Sequence, residues 1–265
     1  MTDWGRGSYE LTASQSAPVA PLVIDAAEPV ENLKLLDLAC GTGNAALVGA
    51  RRDARVTGLD GAPRLLEVAA GRAEAEDLRV DWIEGDFHEL PFAEDSFDVV
   101  TSVFGLIFAE RPEQATAEVA RILGPNGRLA ITTWLDEGPM AGIQSIFQKW
   151  VGPALEQPAG ESDEADEAPP FDWGDRDQLR MLFAEHGISI RCDRQALTIT
   201  AESPEAQNEA WFAHHPFWLE ALDLLDESDR SGLREECLAG LRAANEDRSG
   251  FRVTLPFLLA LGSPV

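Results

Sequence analysis

The sequence predicts an α/β fold, a mostly parallel sheet flanked by helices, and three observations carry that prediction. The stretch Leu35-Leu36-Asp37-Leu38-Ala39-Cys40-Gly41-Thr42-Gly43-Asn44 leads an apolar run of strand character into an acid, then into small residues and glycines, and residues 44–52 can start a helix. From there to Trp134 short apolar runs alternate with helix starts, the pattern of repeated strand-helix-strand units. Two longer strand-like segments, 188–200 and 251–261, enclose a helical stretch, so the last strand can return antiparallel beside its predecessor.

The elements follow in order. Residues 1–32 combine Trp4, Gly5, Gly7 and Tyr9 with a helix expected over 11–27, interrupted by Pro18 and Pro21, and read as a lid segment. Residues 33–135 form the core. After the first strand and helix, Arg55-Val56-Thr57-Gly58-Leu59-Asp60 is an apolar run ending in an acid, and Pro63 suits the first turn of the next helix. Strand 80–84 runs into Gly85-Asp86-Phe87-His88, and the unbroken apolar run 96–105 reads as a buried central strand. A helix over 113–123 then ends at Gly124-Pro125-Asn126-Gly127, ahead of strand 128–134.

Residues 136–174 read as an insertion with a helix over 140–151 and an acidic, nearly apolar-free stretch, 153–167, that cannot bury enough surface to order itself. Residues 175–265 complete the sheet: a helix over 175–186, strand 188–200, a helical cap at about 203–249 that starts with Ser203 as N-cap and Pro204 at the first helical position, and the closing strand.

Composition narrows the function. Acidic residues outnumber basic ones 47 to 21, a net charge of -26, which repels nucleic acid and anionic membranes alike. Lys34 and Lys149 are the only lysines; high-salt adaptation and a high-GC coding bias both produce that pattern. Cys40, Cys192 and Cys237 are too few and scattered for a disulfide framework or a zinc site, and fit a reducing cytoplasm. The start lacks the form of a signal peptide and no apolar run reaches the ~18 residues of a membrane helix, so a cytoplasmic protein is expected.

Two nucleotide folds compete for the glycine turn. The dinucleotide fingerprint is matched by Gly41, Gly43 and Ala46, with Asp60 following at about the ~20 residues it requires. Asp37, upstream of the glycines, argues otherwise: a carboxylate there repels a pyrophosphate and suits a ligand bearing an ammonium group. Asp60, at the end of the next strand, can accept both hydroxyls of a ribose.

Asp37-Leu38-Ala39-Cys40-Gly41-Thr42-Gly43 resembles the first motif of the class I S-adenosylmethionine-dependent methyltransferases, and Ala120-Arg121-Ile122-Leu123-Gly124-Pro125-Asn126-Gly127-Arg128-Leu129 resembles their late helix-turn-strand motif. The resemblance covers about 33–134. Ala39 stands where that family has its first glycine, and alanine takes a positive φ only with strain. The resemblance implies a Rossmann-like seven-stranded sheet, mostly parallel with an antiparallel last strand, plus the helical cap. It also implies S-adenosylmethionine as cofactor and S-adenosylhomocysteine as product. By position, Tyr9 would help enclose the cofactor, Asp37, Ala39, Gly41 and Gly43 would surround its methionine part, and Asp60 with Gly61 would meet the ribose. Asp86 and Phe87 would meet the adenine, and Phe104 would lie near the methyl group.

Methyl transfer from a sulfonium releases a neutral leaving group, so positioning in a dry pocket can supply much of the catalysis and no catalytic triad is expected. An oxygen acceptor of high pKa would need a base, and His214 and His215, set among the aromatics of the cap, are the candidates. No cluster at ligand spacing marks a metal. The expected partner is a small-molecule methyl acceptor, partly apolar, with the protein a monomer or homodimer. The alternatives are an NAD-dependent oxidoreductase, which would need a second mononucleotide half after strand 128–134, and a cofactor-binding protein without turnover.

Overall fold

The computed structural model describes residues 2–155 and 171–265. In chain order they form α1 (Tyr9–Ser16), α2 (Val19–Ala26), β1 (Lys34–Leu38), α3 (Asn44–Arg51), β2 (Arg55–Asp60), α4 (Pro63–Ala75), β3 (Val80–Glu84), β4 (Phe97–Val103), α5 (Pro112–Ile122) and β5 (Leu123–Trp134). The chain continues through α6 (Pro139–Trp150), α7 (Gly152–Leu155), α8 (Arg176–Ala184), β6 (Ile188–Ala201), α9 (Pro204–His214), α10 (Pro216–Asp223), α11 (Glu227–Ala244) and β7 (Phe251–Pro264). The seven strands make one sheet in the order β3-β2-β1-β4-β5-β7-β6. All neighbours are parallel except that β7 runs antiparallel to both β5 and β6.

That order decides between the two nucleotide folds. A dinucleotide fold continues with a parallel sixth strand, whereas here an antiparallel strand is inserted between β5 and β6. The NAD-dependent reading is therefore set aside.

Alternate residues of the central strands feed two cores, as the pleat requires. Leu35, Val56 and Val99 pack with α2, α3 and the cap on one face; Leu36, Leu59 and Val100 pack with α5 and α8 on the other. Proline stands in the first turn of α4, α5, α6, α9 and α10, where its missing N–H costs nothing. Asp175, Ser203 and Asp226 cap α8, α9 and α11 through their side chains.

Two expectations change, and a third falls largely outside the described residues. The helix expected over 11–27 begins earlier, at Tyr9, and divides into α1 and α2 at Pro18 as anticipated, but Pro21, expected to interrupt it as well, lies inside α2. Gly124 to Gly127 do not precede β5 but bulge out within it: Phe97 pairs with Leu123 and Val99 with Arg128, leaving the intervening residues without rungs. The acidic stretch 153–167 lies outside the described residues except at its start, where Pro153, Ala154 and Leu155 belong to α7.

α6 has no fully buried residue, yet it is docked specifically on α11. The Trp150 ring lies where a Cβ on Gly232 would sit, 2.2 Å away, and Glu236 accepts hydrogen bonds from Lys149 Nζ at 2.5 Å and Trp150 Nε1 at 2.7 Å.

Candidate active site at the strand tips

The turn after β1 is built on left-handed backbone, with φ of +52° at Ala39, +53° at Gly41 and +80° at Gly43. The glycines adopt this freely; Ala39 carries the strain expected of it. The space beneath is taken by Trp82 of β3. A Cβ on Gly58 would lie 2.4 Å from the Trp82 ring and one on Gly43 2.8 Å from it, so two glycines let the indole cross β2 and support the turn. From α4, Arg72 Nη1 donates to the Thr42 carbonyl at 2.6 Å and to Asn44 Oδ1 at 2.9 Å. Asn44 in turn donates to the Ala13 carbonyl of α1 at 3.1 Å.

Two buried carboxylates hold the same turn. Asp60 accepts the N–H of Gly41 at 2.7 Å on one oxygen and that of Ala62 at 2.9 Å on the other. Asp37 accepts the N–H of Ala46 at 2.8 Å, in the first turn of α3, and the Thr101 hydroxyl at 3.1 Å. Asp37 is only 1% exposed and Asp60 8%. Burial, reinforced by the charge of Asp60, pushes the Asp37 carboxyl up to about 7, and burial also raises Asp60. Among the described residues no basic side chain hydrogen-bonds to either, so this pocket presents negative charge without a counter-ion.

Residues 4–16 form an arm across the turn. Tyr9 Cε1 is 3.7 Å from the place a Cβ on Gly41 would occupy. Its phenol is pushed up to about 12, first by burial and then by the charge of Asp60. Glu10 beside it receives both bonds of a forked pair from Arg64 Nη2, at 2.8 and 2.9 Å, which ties the arm to α4. The cap holds the other side: Ser8 N–H donates to the His214 carbonyl at 3.1 Å, Arg6 pairs with Asp223, and Gln15 and Gln207 exchange amide hydrogen bonds. Between Tyr9, Asp37 and the turn a cavity of about 30 Å³ remains, room for roughly one water.

Beyond Tyr9 opens a chamber of about 760 Å³. It shares Tyr9, Ser16 and Val103 with the small cavity, so the two spaces meet there. Phe104 and Trp134 stack in its wall with centroids 3.9 Å apart and planes within 4°, and Phe147 stacks on Phe217 at 4.4 Å. Phe104 has φ +56°, a strained value for a bulky side chain, and is pinned there by that stack and by its N–H bond to Thr132 Oγ1 at 3.0 Å. His215 lines the chamber edge-on to Tyr9 and Trp4, at 5.3 and 5.7 Å. Its Nδ1 is buried without a hydrogen-bond partner, and burial holds its pKa down at about 4.

The histidines thus separate. His215 lines the chamber, whereas His214 ends α9, meets the arm through its backbone carbonyl and is not part of the lining.

At the tips of β2 and β3, Gly85 N–H donates to the Asp60 carbonyl at 3.1 Å, and Gly61 lies against Gly85, whose oxygen is 3.7 Å from where a Gly61 Cβ would be. Asp86 is exposed and Phe87 half-buried. Burial works against the charge on Asp86, but the backbone N–H and ring of His88, at 2.8 and 2.7 Å, hold its carboxyl below the usual range. His88, 3% exposed, also accepts from the Arg111 N–H and the Gln114 side chain, so it fastens this loop to the start of α5. The structure therefore gathers Tyr9, Asp37, Ala39, Gly41, Gly43 and Asp60 around one turn, places Gly61, Asp86 and Phe87 at the next tips, and puts Phe104 and His215 in the chamber.

Arg72, Trp82, Arg64 and Thr101 also shape the site, and sequence reasoning did not single them out. Only Trp82 left a signal: a large aromatic placed on a strand whose neighbour carries Gly58.

Comparison with known proteins bears on the same region. The family model described as Methyltransferase domain matches residues 36–131. The uncharacterized protein Rv1403c of Mycobacterium tuberculosis is 32% identical over 197 residues, covering 74% of this chain and 69% of that protein. Demethylmenaquinone methyltransferase of Renibacterium salmoninarum is 32% identical over 186 residues, 68% of this chain and 76% of the relative. Among solved structures, the YcgJ protein of Bacillus subtilis matches with a TM-score of 0.61 at 18% identity over 92% of this chain and 96% of that one, a likeness of fold.

Proposed function

Because this chain belongs to the class I S-adenosylmethionine-dependent methyltransferases, we propose that the tips of β1 to β3 hold the cofactor and that the aromatic chamber holds a small, uncharged, largely apolar methyl acceptor. The observation that carries this reading is the meeting of two unlike spaces at Tyr9: a pocket with two buried carboxylates and no counter-ion, and an apolar chamber.

The residues fit the cofactor. Asp37 and Asp60 offer uncompensated negative charge to its cationic part, and each carboxylate oxygen that binds one backbone N–H keeps a second lone pair. Among the described residues only Tyr9 comes within 4 Å of where a Cβ on Gly41 would sit, so backbone can meet the ligand there. Asp60 would take the ribose hydroxyls, and Asp86 with Phe87 the adenine. When bound, S-adenosylmethionine supplies an electrophilic methyl group whose departure from sulfur needs no acid. The protein's part is then to orient and to exclude water: Tyr9 and Trp4 close the joint between the two spaces, while the stacked Phe104 and Trp134 fix one wall. Since the small cavity holds about 30 Å³, the arm must lift for a methionine chain to reach Asp37, which gives residues 4–16 the role of a lid.

Isothermal titration with S-adenosylhomocysteine tests the assignment. Wild-type protein is expected to bind it, and Asp60→Ala to bind at least about 10-fold more weakly, because a charged hydrogen-bond acceptor is lost. No binding to the wild type, or undiminished binding to the variant, refutes the assignment.

A further inference from the structure

The chamber wall is mostly apolar, and its polar exceptions are informative. Among the described residues that line it there is no lysine or arginine, and its one carboxylate, Asp136, is on an exposed residue. An acceptor carrying a carboxylate or phosphate would find no positive partner there and would leave a desolvated charge unpaired. The paired rings of Phe104 with Trp134 and of Phe147 with Phe217 present faces and edges suited to another flat ring. A volume of about 760 Å³ is ample for such a molecule.

Within this wall His215 has unused polar capacity. Its Nδ1 is sealed off without a partner among the described residues, which leaves Nε2, free of any hydrogen bond among those residues and not among the buried atoms, as the ring nitrogen a molecule in the chamber can reach. The ring also stands in edge contact with Tyr9, at the end of the chamber that meets the β1 turn. Of the other polar side chains in the lining, Gln15 already exchanges two hydrogen bonds with Gln207, Thr12 and Ser16 donate to backbone carbonyls of α1, and Gln144, Ser145 and Gln148 are exposed residues of α6.

We propose that His215 is a positioning and specificity residue which hydrogen-bonds the hydroxyl of a flat, uncharged aromatic acceptor, turning that hydroxyl-bearing end toward the cofactor turn. The inference rests on the methyltransferase reading above and narrows its acceptor to a phenolic class. A neutral imidazole accepts the hydroxyl proton in a hydrogen bond, and replacing the hydroxyl by an ether removes the donor while keeping the ring.

Binding of simple probes tests it without turnover. By titration calorimetry with S-adenosylhomocysteine present, wild-type protein should bind 2-naphthol about 10-fold more tightly than 2-methoxynaphthalene, and 2-naphthoate should not bind measurably. In His215→Phe the preference should shrink to within about 2-fold while the affinity for 2-methoxynaphthalene holds, and His215→Gln, which keeps a neutral acceptor, should restore it. Equal binding of the two neutral probes by wild type, a preference that survives His215→Phe, or tightest binding of 2-naphthoate overturns the proposal. Should His215→Phe not fold, the wild-type ranking and the His215→Leu variant still decide. S-adenosylhomocysteine titrated alone separates the two readings: normal cofactor binding without a naphthol preference removes only the role of His215, whereas absent cofactor binding removes the methyltransferase assignment itself.

Discussion

The two halves of the site are held together in opposite ways. At the β1 turn the buried carboxylates are engaged: Asp37 and Asp60 each accept two hydrogen bonds, and one nitrogen of Arg72 reaches both Thr42 and Asn44. In the chamber the walls are aromatic rings in contact, and the His215 ring carries an unpartnered nitrogen. The first arrangement fixes one geometry through directional bonds and close backbone approach. The second fixes a shape and leaves its polar capacity for whatever fills it, so the chemistry of the acceptor can change without disturbing the turn.

If that contrast is right, substitutions at the turn should damage both folding and cofactor binding, with Asp37 the most sensitive position. Asp37→Ala removes the acceptor for the Ala46 N–H in a buried place, where an orphaned N–H costs about 1–3 kcal/mol, and should weaken S-adenosylhomocysteine binding by more than about 100-fold. Asp37→Asn separates charge from shape. The native carboxyl titrates near 7 and an unfolded one near 3.8, so between those values the folded state binds more protons and stability falls as pH rises. Wild-type stability in urea should therefore drop from pH 4 to 7 more steeply than that of Asp37→Asn. Asp60 adds to the slope in the same direction in both proteins, as does relief of the overall negative charge, and the difference between the two curves isolates Asp37. Parallel curves would mean that the carboxyl is not held up by burial.

The next effect concerns the glycines over Trp82. Gly58→Ala puts a methyl 2.4 Å from the indole, and such overpacking costs about 1–3 kcal/mol. Gly43→Ala meets the same ring at 2.8 Å and must also hold φ +80°, adding about 1–2 kcal/mol. Truncating the ring distinguishes them. In Trp82→Leu the penalty of Gly58→Ala should largely vanish, while Gly43→Ala should keep its conformational part. Chemical denaturation of the four single and double variants alongside the Trp82→Leu background reads both couplings, and equal rescue at the two positions would show that backbone strain contributes nothing at Gly43.

The same contrast explains what could be read from the sequence. The strands, the acids at their ends and the glycine turn were legible because each is a local pattern: Asp37 to Gly43 fit in seven consecutive residues, and Asp60 closes its own strand. The support of the turn was not legible, since Trp82 reaches Gly43 only through the register that sets Gly58 beside it, and Arg72 reaches Thr42 only because α4 lies over that loop. Nor was the chamber, which draws Trp4, Phe104, Phe147, His215 and Leu255 from distant parts of the chain. The sequence offered both His214 and His215; which one faces the chamber depends on where α9 ends and α10 begins. The break at Pro18 was legible, whereas the passage of α2 through Pro21 and the bulge at Gly124 to Gly127 were missed for a related reason, because tertiary contacts choose among several locally acceptable paths.

The smallest expected effect lies at Ala39, where this chain departs from the glycine of the motif it resembles. With φ at +52°, alanine bears roughly 1 kcal/mol of left-handed strain. Ala39→Gly relieves that strain but gives the unfolded chain back about 0.4–1 kcal/mol of conformational freedom, so the net gain should stay below about 0.5 kcal/mol. What makes the substitution informative is Gly105, whose added Cβ would lie 2.5 Å from the Ala39 methyl and 2.8 Å from the Ala39 carbonyl oxygen. Gly105→Ala should be strongly destabilising alone and only partly rescued by Ala39→Gly, because the carbonyl contact remains. Thermal unfolding of the single and double variants measures this, and full rescue would mean that the methyl alone keeps the β4 tip at its distance from the turn.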